Sequence, residues 1–246
     1  MEALPEFKLY RAIVTATQEG PSANPIHLVF DFAEKELLPH LLGQPGQLHF
    51  VTGLKFDLFG VYSSGRKVCY VYRLPEGHWP NNKTANDVTS MVHHALKQHR
   101  DSGFRTAEQQ TLNLHADNCS GQNKNLFLLW YLLWRVCMDY ESKITLWFLV
   151  AGHTKNRCDA AFGLVNQRLK QFNVFSPRNM MKVIDESSVS NSFVCATDVE
   201  WIDWTRVLKR YYTVSNHFKL SKFHVFKFLS TYKEDVMVKA LSTDVT

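Results

Sequence analysis

The run from Leu126 to Met138 (LFLLWYLLWRVCM) is apolar on nearly every side of the helix it would form, broken by Arg135. A surface helix shows one apolar stripe, whereas a helix that is apolar all round must be covered on every side. The run is too short and too interrupted to span a bilayer. The rest of the chain therefore has to supply layers that sandwich it. Ile26–Phe32 (IHLVFDF) and Ile144–Ala151 (ITLWFLVA) make the same demand, because they read as strands buried on both faces. A length of 246 residues with 45% hydrophobic content is enough to build such a core in one domain.

The remaining segments fill in the layers. Glu6–Thr17 has helical spacing of Phe7, Tyr10, Ile13 and Val14, and reads as the end of a longer segment or a helix packing at the domain edge. Leu58–Tyr62 and Val68–Arg73 are strand-like runs on either side of Ser63-Ser64-Gly65-Arg66, which predicts a hairpin. Asn86–Arg100 has an amphipathic helical face with Asn86 or Asp87 placed to cap it. Thr111–Ala116 alternates like a strand, and Asn156–Phe172 reads as a helix. Three strands followed by alternating helices and strands predict an α/β fold: a mixed five-stranded sheet with helices on both faces. The domain reading is an N-terminal helix or edge segment over 1–24, a core over 25–175, and an irregular C-terminal extension over 176–246 that packs on the core.

The net charge of +5 allows contact with phosphate backbones without requiring it. The five cysteines form no CxxC pair, and their odd number argues against a disulfide framework. Reduced thiols in a cytosolic or nuclear protein are expected. Residues Met1–Tyr10 mix charges with a proline, so no secretory leader is expected, and the reading is of a soluble intracellular protein without a membrane partner.

Three acids stand where strands meet loops or helices: Asp31, Asp117 and Asp159. Open α/β sheets place their sites at the rim where strand ends converge. Carboxylates gathered there repel one another unless a cation joins them. A pair of hard divalent ions can stabilise both the attacking and leaving oxygens of a phosphodiester. Taken singly, an Asp after a strand is most often a turn former or a helix cap. Their joint placement is what favours chemistry.

Two runs carry a family resemblance: His115–Asn125 (HADNCSGQNKN) and Gly152–Gly163 (GHTKNRCDAAFG), with Phe30–Pro39 (FDFAEKELLP) as a weaker third. They resemble the signature of a family of transposon-derived RNase H-like domains, the DUF7869 type, over about residues 25 to 230. The resemblance implies an RNase H-like core like that of DDD/DDE transposases. In that superfamily the first acid lies on strand one, the second ends strand four and the third sits on the helix after strand five. By position these fall on Asp31, Asp117 and Asp159, which the resemblance makes catalytic and metal-binding, with two Mg²⁺ or Mn²⁺ ions. The third is Asp where many cut-and-paste transposases have Glu.

The resemblance further implies DNA as partner and, from that substrate, nuclear residence. Asn118, Gln122, Asn123 and Lys124 are expected to contact substrate, since amides at a helix start and a lysine can meet a phosphate. Capping and loop hydrogen bonds are the alternative. His153 and Lys155 are the other expected substrate contacts. A zinc site from His115, Cys119, His153 and Cys158 matches no familiar spacing. Lys219, Lys222, His224 and Lys227 alternate with Phe218, Phe223, Phe226 and Phe228. That pattern suits either a nucleic-acid grip or an amphipathic strand with a solvated lysine face. The two functional readings are metal-dependent cleavage or strand transfer on DNA, and a domesticated or relic copy that binds nucleic acid or protein without turnover. Self-association is compatible with either.

Overall fold

The structure, a computed structural model, describes residues 5–18, 25–33, 35–43, 46, 53–75, 84–101, 111–119, 121–149, 156–213, 219–232 and 235–240. Helix α1 (Pro5–Gln18) leads into strands β1 (Ile26–Phe32), β2 (Glu36–Leu38), β3 (Leu54–Ser63) and β4 (Val68–Pro75). There follow α2 (Ala85–Asp101), β5 (Thr111–Ala116), α3 (Leu126–Cys137), β6 (Lys143–Phe148) and α4 (Arg157–Leu169). The chain continues through α5 (Pro177–Ser187), β7 (Asn191–Cys195), α6 (Trp204–Leu208), β8 (Val225–Leu229) and β9 (Val236–Lys239).

Among the described residues one mixed sheet of nine strands runs through the fold, in the order β7-β4-β3-β1-β5-β6-β8-β9, with β2 paired to β3. β1, β5 and β6 are mutually parallel, and β3 is antiparallel to β1. β4 is antiparallel to β3, and β7 is parallel to β4. The C-terminal ends of β7, β4, β1, β5 and β6 therefore lie along one rim.

The α/β expectation holds, and its details need two corrections. Among the described residues the sheet has nine strands rather than five, and the described part of the segment after residue 176 carries two α-helices and three strands rather than irregular structure. β7 extends one edge of the sheet, and β8 and β9 extend the other. The sequence pattern hid them for a physical reason. β7 reads NSFVC, too short and too polar for a strong alternation signal, and its backbone is held by pairing to β4. The basic-aromatic tail resolves toward the amphipathic strand: Phe226 and Phe228 are fully buried, while Lys227 alternates with them on β8.

The sheet buries both faces. On one side α2, α3 and α6 cover Leu28, Phe30, Phe59, Tyr72, Leu114 and Leu146. The all-apolar α3 lies here, capped by Asn125, whose side chain accepts from the Leu128 amide. Its one charge, Arg135, makes paired hydrogen bonds of 2.8 and 2.6 Å to the buried Glu141. On the opposite side α1, α4 and α5 cover Val29, Leu58, Tyr62 and Val71. α4 lies closest at Gly60, where a Cβ would stand 2.9 Å from the Phe162 ring and 3.3 Å from Cys158.

That close approach sets the height of α4 above the sheet. Gly60→Ala is expected to destabilise the protein by about 1–3 kcal/mol, as overpacking of a filled core does. Chemical denaturation of the two proteins tests it, and an alanine variant as stable as the parent would refute the tight contact.

Candidate functional site

Asp31 is the penultimate residue of β1, and Asp117 directly follows β5, its parallel neighbour. The register pairs Phe30 with Ala116, so the two acids follow side by side, with strands about 4.8 Å apart. Phe30 and Ala116 belong to the α2–α3 side of the sheet. By strand alternation Asp31 points to the other side, where α4 lies. There Asn156 donates from Nδ2 to Asp31 Oδ2 at 2.9 Å. Asp31 Oδ1 accepts from the Phe32 amide at 2.8 Å, and Asp117 Oδ1 from the Asn118 amide at 2.7 Å.

Asp159 arrives by a different route. It is the third residue of α4, and its Oδ2 accepts from the Asn156 amide at 2.8 Å while Asn156 Oδ1 caps the Cys158 and Asp159 amides. This reciprocal capping satisfies the exposed donors of the helix start. Cys158 Sγ donates toward Val29 O at 3.3 Å and Gly60 O at 3.5 Å, fixing the same turn to β1 and β3. Asp159 is thus at the rim beside the other two, but its side chain is engaged by its own helix.

The electrostatics reflect this gathering. Asp31 is pushed up to about 6, chiefly by burial, with Asp117 and then Asp159 adding like-charge repulsion. The Asn156 hydrogen bond and the Phe32 amide oppose that rise. Among the described residues no group of three or more His, Cys, Asp or Glu is disposed to hold a metal ion. The donor set that fits best is the pair Asp31 and Asp117, hard oxygens of the kind that hold one Mg²⁺ or Mn²⁺ with waters completing the shell.

Further down the same face lies a buried polar chain that sequence reading did not anticipate. Ser64 Oγ meets His27 Nδ1 at 2.7 Å, and His27 Nε2 meets His115 Nδ1 at 2.8 Å. Tyr10 from α1 packs edge-on against His115, and Trp147 stacks on it. Burial holds His27 down to about 3 and His115 well below its ordinary value, so both rings are neutral. His115 and Cys158 are therefore occupied within the core, and the zinc reading finds no support in their placement.

Residues 47–244 match the family described as Domain of unknown function (DUF7869). The chain belongs to the DUF7869 family. Asp117 and Asp159 of this DUF7869 domain fall inside the matched segment, whereas Asp31 precedes it. Among solved structures, the crystal structure of NurA is similar to 78% of this chain at 10% sequence identity and a TM-score of 0.20. The aligned part makes up 43% of the NurA chain. So low a TM-score shows neither a shared fold nor a shared activity. No curated protein matches.

The other expected contacts of the DUF7869 domain divide. Lys124 is only 4% exposed: its Nζ donates to Asn118 Oδ1 at 2.9 Å, reaches Ser221 O at 3.5 Å and lies 5.2 Å from the Phe148 ring centroid. Burial lowers its pKa. Lys124 and Asn118 therefore bind each other and brace the loop onto β6 and the segment before β8. Gln122 accepts from Asn125 Nδ2 through its backbone oxygen, and Asn123 is buried with no partner for Oδ1. His153 and Lys155 lie outside the described residues. The residue that sequence reading missed is Asn156. Its place before a helix marks a cap, but nothing in the sequence signals that its amide also holds Asp31.

The raised Asp31 carries a pH signature. Between about 3.9, its unfolded value, and about 6, the folded protein keeps a proton that the unfolded chain has released. Stability from this group therefore falls as pH rises through that window and is flat above it. Asp31→Asn is expected to be more stable than the parent at pH 7 by about 2 kcal/mol, with the gap closing toward pH 4. Denaturation midpoints of both proteins across that range check it, and a pH-independent difference would contradict it.

Proposed function

We propose that this chain is a transposase-derived, RNase H-like domain that uses Asp31 and Asp117 to hold a divalent cation and cleave or transfer phosphodiesters of DNA. The observation that carries the reading is the placement of these two carboxylates side by side, on neighbouring parallel strands at one rim. The topology supports it. A β1-β3-β4 meander followed by β5 and β6 parallel to β1 puts the acids on the first long strand, after the fourth and in the helix after the fifth. The motif runs His115–Asn125 and Gly152–Gly163 support the same assignment.

A hard divalent cation held by Asp31 and Asp117 would supply Lewis-acid polarisation of a phosphate oxygen and would activate a water near neutral pH. The chain's own contribution is placement. Asn156 fixes one oxygen of Asp31, and the burial that raises Asp31 disfavours its charged form until a positive charge is nearby. Asp117 keeps one oxygen clear of hydrogen bonds. The two-ion arrangement expected from the sequence also needs Asp159, whose Oδ2 is occupied by the Asn156 amide.

That occupied oxygen favours a second reading, a DNA-binding module that has lost turnover. Calorimetric titration with Mn²⁺, followed by a nuclease assay on labelled DNA, separates the two. With turnover, Asp117→Asn loses Mn²⁺ affinity on the order of 100-fold, at least what outer-shell changes cost, and cleavage disappears. Equal cleavage by parent and variant refutes the assignment of Asp117. DNA binding by both with cleavage by neither selects the binding module.

A further inference from the structure

The side of the sheet that carries Asp31 and Asp117 is covered unevenly. The core beneath α1, α4 and α5 takes its strand residues from β1 to β4, and among the described residues none from β5, β6, β8 or β9. Val29 of that core is in register with His115, and His115 with Trp147 of β6. Lys143 precedes Trp147 on β6, and Lys227 of β8 is in register with Thr145 between them. By strand alternation Lys143, Trp147 and Lys227 therefore share the side of the two acids. Trp147 lies one strand across and two residues back from Asp117, about 8 Å between Cα atoms at ordinary sheet spacings. Lys227 is one further step of the same kind, roughly 8 Å beyond Trp147.

These side chains reach solvent. Lys143 is exposed, and Trp147 and Lys227 are half-buried. Among the described residues neither lysine forms a salt bridge. Burial, and after it the charges of Lys239 and Lys143, hold Lys227 below its ordinary pKa. His115 stacks on Trp147 with centroids 4.7 Å and ring planes 7° apart, which fixes the indole and covers one of its faces. The phenylalanines that alternate with Lys227 lie in the opposite core, so the lysines have Trp147 as an aromatic neighbour instead.

Lysines and an aromatic ring on one open surface match a strand with phosphates on its backbone and unpaired bases that can stack. A duplex, whose bases stack on one another, offers Trp147 no free base. A second copy of this chain fits less well, because a two-fold contact would set the lysine patch against itself. We propose that this face of β6 and β8 binds a single strand of nucleic acid, with a base stacked on Trp147 and backbone phosphates at Lys143 and Lys227. That the strand held here is the one that reacts at Asp31 and Asp117 rests on the function proposed above, whereas the binding face does not.

Fluorescence anisotropy of a labelled oligothymidylate, in EDTA and over a range of salt, tests the face. The parent binds it more tightly than a duplex of the same length. The slope of log affinity against log salt falls in magnitude by about 1.4 in Lys143→Gln/Lys227→Gln, the loss of two phosphate contacts on a single strand. Lys182→Gln, at an exposed position of α5, leaves the slope unchanged. Trp147→Leu loses on the order of 10-fold in affinity at an unchanged slope, the loss of one stacked base, and Trp147→Phe regains part of it. The lysine variants decide the matter alone should Trp147→Leu fail to fold.

Equal slopes in the parent and the double variant, an equal fall in Lys182→Gln, undiminished affinity in a folded Trp147→Leu, or tighter binding of duplex each overturns the proposal. So does a parent that binds no oligonucleotide but sediments as a dimer that the lysine variant dissociates, which gives the face to a second copy. Cleavage is read separately. In Mn²⁺ the double variant raises KM for the single strand, and an unchanged KM beside a reduced slope breaks the link to the acids. If no protein cleaves while the binding pattern stands, the nuclease reading fails and the binding face does not.

Discussion

The first turn of α4 is fixed to the sheet by a small set of contacts on which the rim depends. Asn156 caps the helix with one side-chain atom and holds Asp31 with another. Two residues later, the Cys158 thiol reaches backbone oxygens of β1 and β3, and the missing side chain at Gly60 makes room for it. A helix start has unpaired amides that need acceptors, and a buried carboxylate needs donors. Asn156 meets both needs at once. Its position therefore couples the helix carrying Asp159 to the strand carrying Asp31.

Charge is distributed unevenly around this rim. Three carboxylates stand together, and one of them is raised by burial and by its neighbours. Lys124, the lysine or arginine nearest to Asp117 in sequence, is turned into the loop before α3 and hydrogen-bonds Asn118. Among the described residues none of the three acids forms a salt bridge.

Much of this fold was legible in the sequence because several segments are buried on both faces. Ile26–Phe32 and Thr111–Ala116 have the same limits in the structure as in the sequence reading, and α3 needs two layers whatever their identity. β2 and β7 were not legible, because strands of three and five residues owe their conformation to the partner strand. At the site, the adjacency of Asp31 and Asp117 followed from strand order. The engagement of Asp159 in a capping box did not, since the same residue type at the same place serves either as cap or as ligand. His27 and His115 were invisible for another reason: two histidines far apart in sequence become a pair only once β1 and β5 are neighbours.

The outer strands of the sheet also carry a consequence for how the chain can be divided. The polypeptide after α4 supplies β7 to one margin and β8 with β9 to the other, so it clasps the sheet from both sides. Cutting the protein between α4 and α5 would uncover the backbone of β4 and β6 together and leave two unpaired ladders facing water. Such margins recruit other chains. The last third of the molecule is then less an appendage than the part that covers the longer margins of β4 and β6 and leaves the short β7 and β9 as the edges.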